Sequence, residues 1–214
     1  TDRPAYRAGQ QVHVRGCIRR VSDDAYVVDK GKKYTLEVLD RFLTPYAVHG
    51  GPKFSPDGRH VFIMSRDGWV QKYDIWSLKE VGRVRAGLNS RNIAMSHDGK
   101  WLAVANYLPH TLTILSTEDL TPVKVLEVKA RGGSESRVSA VYQAPQRRSF
   151  ILALKDAPEI WEVATDPEAG PFHDGFVHSH EKGMEESVGA EKGLFARRRI
   201  VIEERAPLPS SDPA

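Results

Sequence analysis

The chain has 214 residues, 40% of them apolar and 28% charged, with 17 Gly, 13 Pro and a formal net charge of +3. Those proportions exclude a collagen, a disulfide scaffold and a wholly disordered chain, and no apolar run approaches the roughly eighteen residues of a membrane-spanning helix. The one cysteine, Cys17, forms neither an internal disulfide nor a CxxCH motif, so no covalent haem c is expected in this chain.

In chain order, the first 164 residues are short strands divided by turn punctuation. Val12–Ile18, Ala25–Asp29 and Tyr34–Leu39 come first, then His60–Ser65, Trp69–Asp74 and Val81–Val84. Asn92–Met95, Trp101–Asn106, Thr111–Leu115 and Val123–Val128 form a third group, and Val138–Tyr142, Ser149–Leu154 and Glu159–Val163 a fourth. The runs are rich in Val, Ile, Leu and aromatics and are bounded by Asp-Gly, Gly-Lys or Pro-containing turns. None carries the i, i+3, i+4, i+7 apolar stripe of a helix, so the region reads as all-β. From Thr165 the character changes: Asp166-Pro167-Glu168-Ala169-Gly170-Pro171 is a loop signal, Arg197–Glu204 reads as one more strand, and Arg205–Ala214 as a disordered polar tail. The expected organisation is blades over 1–164, a loop with a further strand over 165–204, and a tail over 205–214.

An internal repeat specifies the architecture. Phe54–Ile63 (FSPDGRHVFI) returns as Met95–Val104 (MSHDGKWLAV), 41 residues later, which is the period of a four-stranded propeller blade. Each copy is a strand end, an Asp-Gly turn and an apolar strand, hence a hairpin inside one blade. Ala144–Ile151 (APQRRSFI) is a third copy without the Asp-Gly. At about 40–45 residues per blade, the region supplies three or four.

Charge is unevenly spread, a net +7 over residues 1–164 and −4 over 165–214. A basic body suits an anionic partner; without aromatic residues interleaved among the basic ones, nucleic acid is not the expected one. His49, in Pro45-Tyr46-Ala47-Val48-His49-Gly50-Gly51-Pro52, lies between one blade and the next, where propeller ligands sit. It is either an ordinary hydrogen-bonded histidine or a haem ligand whose other ring nitrogen is held by a backbone carbonyl. The two glycines after it are expected to let a flat ligand approach the backbone. Arg66, Arg91 and Arg137 stand at three corresponding blade junctions. They either pair with nearby acids such as Asp67 and Glu135 or converge on a polycarboxylate. His178-Ser179-His180 with His173 has metal-chelating spacing but suits an exposed loop, and Arg197-Arg198-Arg199 reads as a solvated strand start. Cys17 reads as a small buried side chain. No GxSxG, Walker A or HExxH motif is present, so hydrolase and nucleotide-dependent readings lack support.

Tyr46-Ala47-Val48-His49, Arg66-Asp67-Gly68, Asp74-Ile75-Trp76, Ser90-Arg91, Tyr107-Leu108-Pro109 and Ser136-Arg137-Val138 together resemble the haem d1-binding propeller of the cytochrome cd1 nitrite reductase family. The runs His49–Trp76, Val104–Pro109 and Ala153–Val163 are most similar to its branch of c-type-cytochrome-fused dihydro-haem d1 dehydrogenases of haem d1 biosynthesis. The resemblance covers about residues 18–204. It implies His49 as the iron ligand, Arg66 and Arg91 on ring carboxylates, Arg20 and Arg137 as further counterparts, and Tyr107 lining the pocket. It also implies haem d1 or dihydro-haem d1 as cofactor and, as activity, an oxidation of the dihydro form that turns a propionate into an acrylate. A periplasmic location follows, with a c-type cytochrome as electron acceptor and cytochrome cd1 nitrite reductase as a partner. The family's ring has eight blades against about four here, and its distal histidines have no counterpart in this chain. A start at Thr1 without a leader reads as a processed or truncated product, so the chain alone is expected to be inactive. The alternatives are a nitrite reductase fragment and a non-catalytic propeller interaction module.

Overall fold

Residues 18, 20–22, 25–28, 31–44, 46–173 and 191–202 are described by a computed structural model. They fall into two units, Thr1–Leu43 and Thr44–Ala214. In the first unit, β1 (Arg20–Ser22) and β2 (Ala25–Val27) form a two-stranded antiparallel ribbon. The Val12–Ile18 run lies, but for Ile18, outside the described residues, as do Cys17, His178, His180 and the tail from 205. Tyr34–Leu39 is not a strand: no described segment pairs with it, and Tyr34, Leu36, Val38 and Leu39 stay exposed. Alternation alone does not make a strand when the backbone finds no ladder partner.

The second unit holds twelve strands in three four-stranded antiparallel sheets. The first sheet is β3 (Lys53–Phe54), β4 (His60–Met64), β5 (Trp69–Asp74) and β6 (Lys79–Arg85). The second is β7 (Asn89–Met95), β8 (Trp101–Leu108), β9 (Thr111–Ser116) and β10 (Pro122–Glu127). The third is β11 (Val138–Ala144), β12 (Ser149–Leu154), β13 (Glu159–Ala164) and β14 (Arg197–Val201). These are propeller blades as expected, each a simple meander, but three rather than about four among the described residues, where no α-helix occurs either. The Arg197–Glu204 strand is β14, which pairs with β13 as the fourth strand of the third blade.

The middle blade explains why its strands read as continuous apolar runs. Ile93, Met95, Leu102, Val104 and Leu115 pack with Phe62, Met64 and Val70 of the first blade. The intervening Ala94, Ala103, Ala105, Leu112 and Ile114 pack with Phe150, Leu152, Trp161 and Val163 of the third. Alternate side chains leave a strand on opposite faces, so a sheet sandwiched between two others must be apolar on both. The small alanines on one face make room for Trp161 and Phe150 opposite them. The outer strands β6 and β10 are largely exposed, and β6 carries Lys79, Glu80, Arg83 and Arg85, charges that discourage edge-to-edge pairing.

The repeated turn has a repeated chemistry. The hydroxyls of Ser55 and Ser96 donate to Asp57 and Asp98, at 2.5 and 2.6 Å, and Gly58 and Gly99 sit at φ +70° and +75°. Ser65-Arg66-Asp67-Gly68 is a further copy, with Ser65 on Asp67 at 2.6 Å, placed at the opposite end of the first blade. Where the third blade lacks Asp-Gly, a 3₁₀ turn over Pro145–Arg147 takes its place and Arg148 adopts the left-handed conformation at φ +46°.

Glu162 clasps the third blade. Its side chain is 1% exposed and accepts from Arg147 (2.6 Å) and from Arg198 on β14 (2.7 Å). Burial pushes its carboxyl up, but the Arg147 hydrogen bonds and the Arg198 charge outweigh that and hold it below the usual carboxylate range. A lowered folded pKa stabilises above the unfolded value of about 4.3 and loses that contribution as pH falls through the folded value. Glu162→Gln is expected to cost about 1–3 kcal/mol at neutral pH by urea unfolding. The wild-type advantage should shrink below about pH 4; a pH-independent difference would refute the assignment.

Candidate functional site

The β4–β5 turn, the loop before β7, the β8–β9 turn and the loop before β11 all lie at the end of the blades where His49 stands. Val48 bridges Ser65, the His49 amide donates to the Met64 carbonyl (3.2 Å), and the Arg66 amide donates to the Ala47 carbonyl (3.0 Å). The Arg66 carbonyl in turn accepts from the Ser90 amide (3.0 Å), which ties this turn to the start of β7. His49 is half-buried, and its Nδ1 hydrogen-bonds the Arg91 carbonyl. A carbonyl accepts only, so Nδ1 carries the hydrogen, which in the neutral ring is the tautomer with its lone pair on Nε2. Gly50 is needed for its φ of +72°, and the position of its absent Cβ faces Asn92 and Arg91; Gly51 alone has open space there. One glycine, rather than two, therefore leaves the backbone approachable.

Arg66 and Arg91 line one groove of about 300 Å³ with Tyr46, Asp67, Leu88 and Asn89. Arg66 is exposed and has no ion pair among the described residues. The Arg91 guanidinium lies 4.4 Å from the centre of the Tyr107 ring, and Arg137 lies 5.2 Å from the same ring. Tyr107 is thus flanked by two guanidiniums, a cation–π arrangement that fixes its ring plane. The structure brings together His49, Arg66, Arg91, Tyr107 and Arg137, whereas Arg20 stands on β1 of the first unit.

The three arginines differ in what they leave free. Arg137 is committed: its guanidinium and its amide both bind Asp156, through Nε at 2.9 Å and the amide at 2.9 Å. Those hydrogen bonds hold the Asp156 carboxyl well below the usual range. Of the acids the sequence offered, Glu135 binds His110 (2.9 Å) and Asp67 accepts from the Ser65 hydroxyl (2.6 Å); neither forms an ion pair with an arginine of the site among the described residues. Arg91 is the opposite case, since its Nε is buried without a hydrogen-bond partner. A buried donor left unmade costs about 1–3 kcal/mol, and none of the described residues supplies an acceptor for this one.

Asn106 holds the site together, and sequence reasoning missed it. It is fully buried, accepts from Ser90 Oγ (2.6 Å), and donates to the Ala86 carbonyl (3.0 Å), Thr111 Oγ1 (3.0 Å) and Thr113 Oγ1 (3.1 Å). A Cβ on Gly87 would collide with its side chain. The available signal was a lone amide in the apolar run Leu102–Ala105, directly before Tyr107. Of the candidate metal histidines only His173 is described, and no cluster of His, Cys, Asp and Glu able to hold a metal ion occurs among the described residues.

Comparison with known proteins gives a consistent set of relatives. The sequence pattern of the family described as Cytochrome D1 heme domain matches residues 15–174. Dihydro-heme d1 dehydrogenase of Pseudomonas aeruginosa is 57% identical over 127 residues, covering 59% of this chain and 26% of the relative. Protein NirF of the same organism is 33% identical over 115 residues, covering 53% of this chain and 29% of that protein. Among solved structures, dihydro-heme d1 dehydrogenase NirN in complex with DHE superposes with a TM-score of 0.60 at 44% identity, over 77% of this chain and 30% of that one. The chain thus spans between a quarter and a third of the length of these relatives.

Proposed function

The chain belongs to the Cytochrome D1 heme domain family, and on that premise we propose that it holds dihydro-haem d1 or haem d1 at the His49 end of its blades. One observation carries the reading: His49 has Nδ1 engaged on the Arg91 carbonyl and Nε2 left for iron, while the same Arg91 keeps a buried, unpartnered Nε. A single residue thus orients the iron ligand through its backbone and offers a donor to a ring carboxylate through its side chain. Arg66, without an acidic partner among the described residues, supplies the second guanidinium. Tyr107 walls the pocket. Arg137, paired with Asp156 through Nε and one Nη2 hydrogen, lies against that ring and keeps its remaining N–H donors for a ring carboxylate. Arg20 remains a counterpart by resemblance.

The activity the reading implies, for the whole protein, is the oxidation of dihydro-haem d1, in which a propionate loses two electrons and two protons to become an acrylate. When bound, the macrocycle supplies the redox-active iron and the conjugated system. The residues of this chain bind and orient the ring. A c-type cytochrome as electron acceptor, cytochrome cd1 nitrite reductase as recipient, and a periplasmic location belong to the same proposal. No helix among the described residues is long and apolar enough to cross a membrane.

Titration of the chain with dihydro-haem d1 tests binding directly. The expected result is a saturable change in the visible spectrum at one equivalent. An unchanged spectrum up to about 100 µM ligand would overturn the reading.

A further inference from the structure

Two buried polar atoms on residues of the groove have no partner among the described residues. Arg91 Nε is the first; the second is Asn89 Oδ1, two residues earlier on β7 and lining the same groove. β7 pairs irregularly with β8 over Asn89–Asn92, which frees this stretch from a regular ladder. We propose that Asn89 is a carboxylate-binding residue whose amide turns on binding, so that Nδ2 enters the buried position and donates to the ligand beside Arg91 Nε. This rests on the family reading and adds to it a residue that neither the arginine pattern nor the histidine indicates.

The chemistry favours an anion over a neutral group. Asn89 Oδ1, a buried carbonyl oxygen, and Arg91 Nε, a buried guanidinium N–H, belong to the same groove, and with no partner among the described residues they offer one acceptor and one donor. The two ends of a primary amide have nearly the same shape, so a half-turn about its terminal bond exchanges acceptor for donor with little steric cost. After that turn Asn89 Nδ2, Arg91 Nε and the Arg66 guanidinium are all donors, with Asp67 the one acid in the lining. Charge points the same way. Arg66 and Arg91 stand against one acid, Asp67, whose Oδ1 already accepts from Ser65 Oγ at 2.6 Å. A carboxylate, with two oxygens and several lone pairs, satisfies all three donors at once. An ester of the same group loses both the charge and the symmetry of the acceptor.

Asn89→Asp separates the possibilities, because it keeps the size of the side chain and turns the proposed donor into a repelling anion. With dihydro-haem d1 followed by its visible spectrum, Asn89→Asp is expected to weaken binding at least tenfold. Asn89→Ala, which removes the donor without adding charge, is expected to weaken it about three- to tenfold, the loss of one charge-assisted hydrogen bond. The methyl ester of the ligand should bind the wild type more weakly than the free acid, and should not distinguish wild type from Asn89→Ala. Urea unfolding midpoints of both variants establish that each is folded. If the wild type binds and both variants match it, this proposal is overturned while the family reading stands. If the wild type binds neither ligand, the family reading falls and the proposal with it. Equal losses for acid and ester would assign Asn89 a purely structural role and overturn the proposal as well.

Discussion

Replacing His49 with alanine is expected to weaken binding of ferric haem d1 by more than about a hundredfold, roughly 2.7 kcal/mol, and to remove the spectral signature of nitrogen ligation. The magnitude follows from position. Removing a group that merely orients a metal ligand already costs ten- to a hundredfold, and on the proposed function His49→Ala removes the ligand itself. The orienting bond, from Nδ1 to the Arg91 carbonyl, sets the tautomer that leaves Nε2 available. Adding imidazole to the His49→Ala protein should restore the spectrum, since the cavity and the guanidiniums of Arg66 and Arg91 remain. Wild-type affinity in the variant would refute His49 as the ligand. Reduced affinity that imidazole leaves unchanged would assign His49 to architecture instead.

Asn106→Leu is expected to destabilise the second unit by about 2–4 kcal/mol in urea unfolding. The leucine fills a similar volume but strands the Ser90 hydroxyl and removes three donated bonds, and each buried group left unpaired costs about 1–3 kcal/mol. Part of the loss is recovered, because Thr113 Oγ1 still donates to the Ala86 carbonyl at 3.0 Å. Thr111→Val removes one of the four contacts and should cost about 1 kcal/mol. The functional consequence is separate from the stability. Ser90 is tied to Asn106 through its hydroxyl and to Arg66 through its amide, and it immediately precedes Arg91. In the folded Asn106→Leu protein, ligand affinity should fall even at temperatures far below unfolding. A stability change under about 0.5 kcal/mol would show that the network is dispensable.

Much of the scaffold was legible in the residues because its determinants are local. Trp69–Asp74 and Ser149–Leu154 are strands at the limits their composition suggested, and the Asp-Gly repeat marks equivalent turns in successive blades. Tyr34–Leu39 failed for a non-local reason, since strand pairing needs a second segment alongside. The arginines show the same division. Their spacing placed Arg66, Arg91 and Arg137 at one end of the blades, as found, but only the folded arrangement revealed that Arg137 is the one paired with an acid, Asp156. Asn106 is only the last residue of the Trp101–Asn106 run in the sequence and is the centre of the buried network in the fold.

What the sequence by itself determined is a basic, all-β body with a 41-residue blade period. Of the arginines it read at blade junctions, Arg91 and Arg137 stand where one blade gives way to the next, whereas Arg66 lies in the β4–β5 turn within the first blade. Alternation, turn chemistry and charge are properties of neighbours along the chain, so they need no knowledge of the fold. Only the tertiary structure decided which of those guanidiniums is still free, which ring nitrogen of His49 is left open, and that Asn89 shares the groove with Arg91. These depend on groups 19 and 42 residues apart, Arg137 with Asp156 and His49 with Arg91. A hydrogen bond forms or is lost within a few tenths of an ångström, a precision that sequence spacing does not carry.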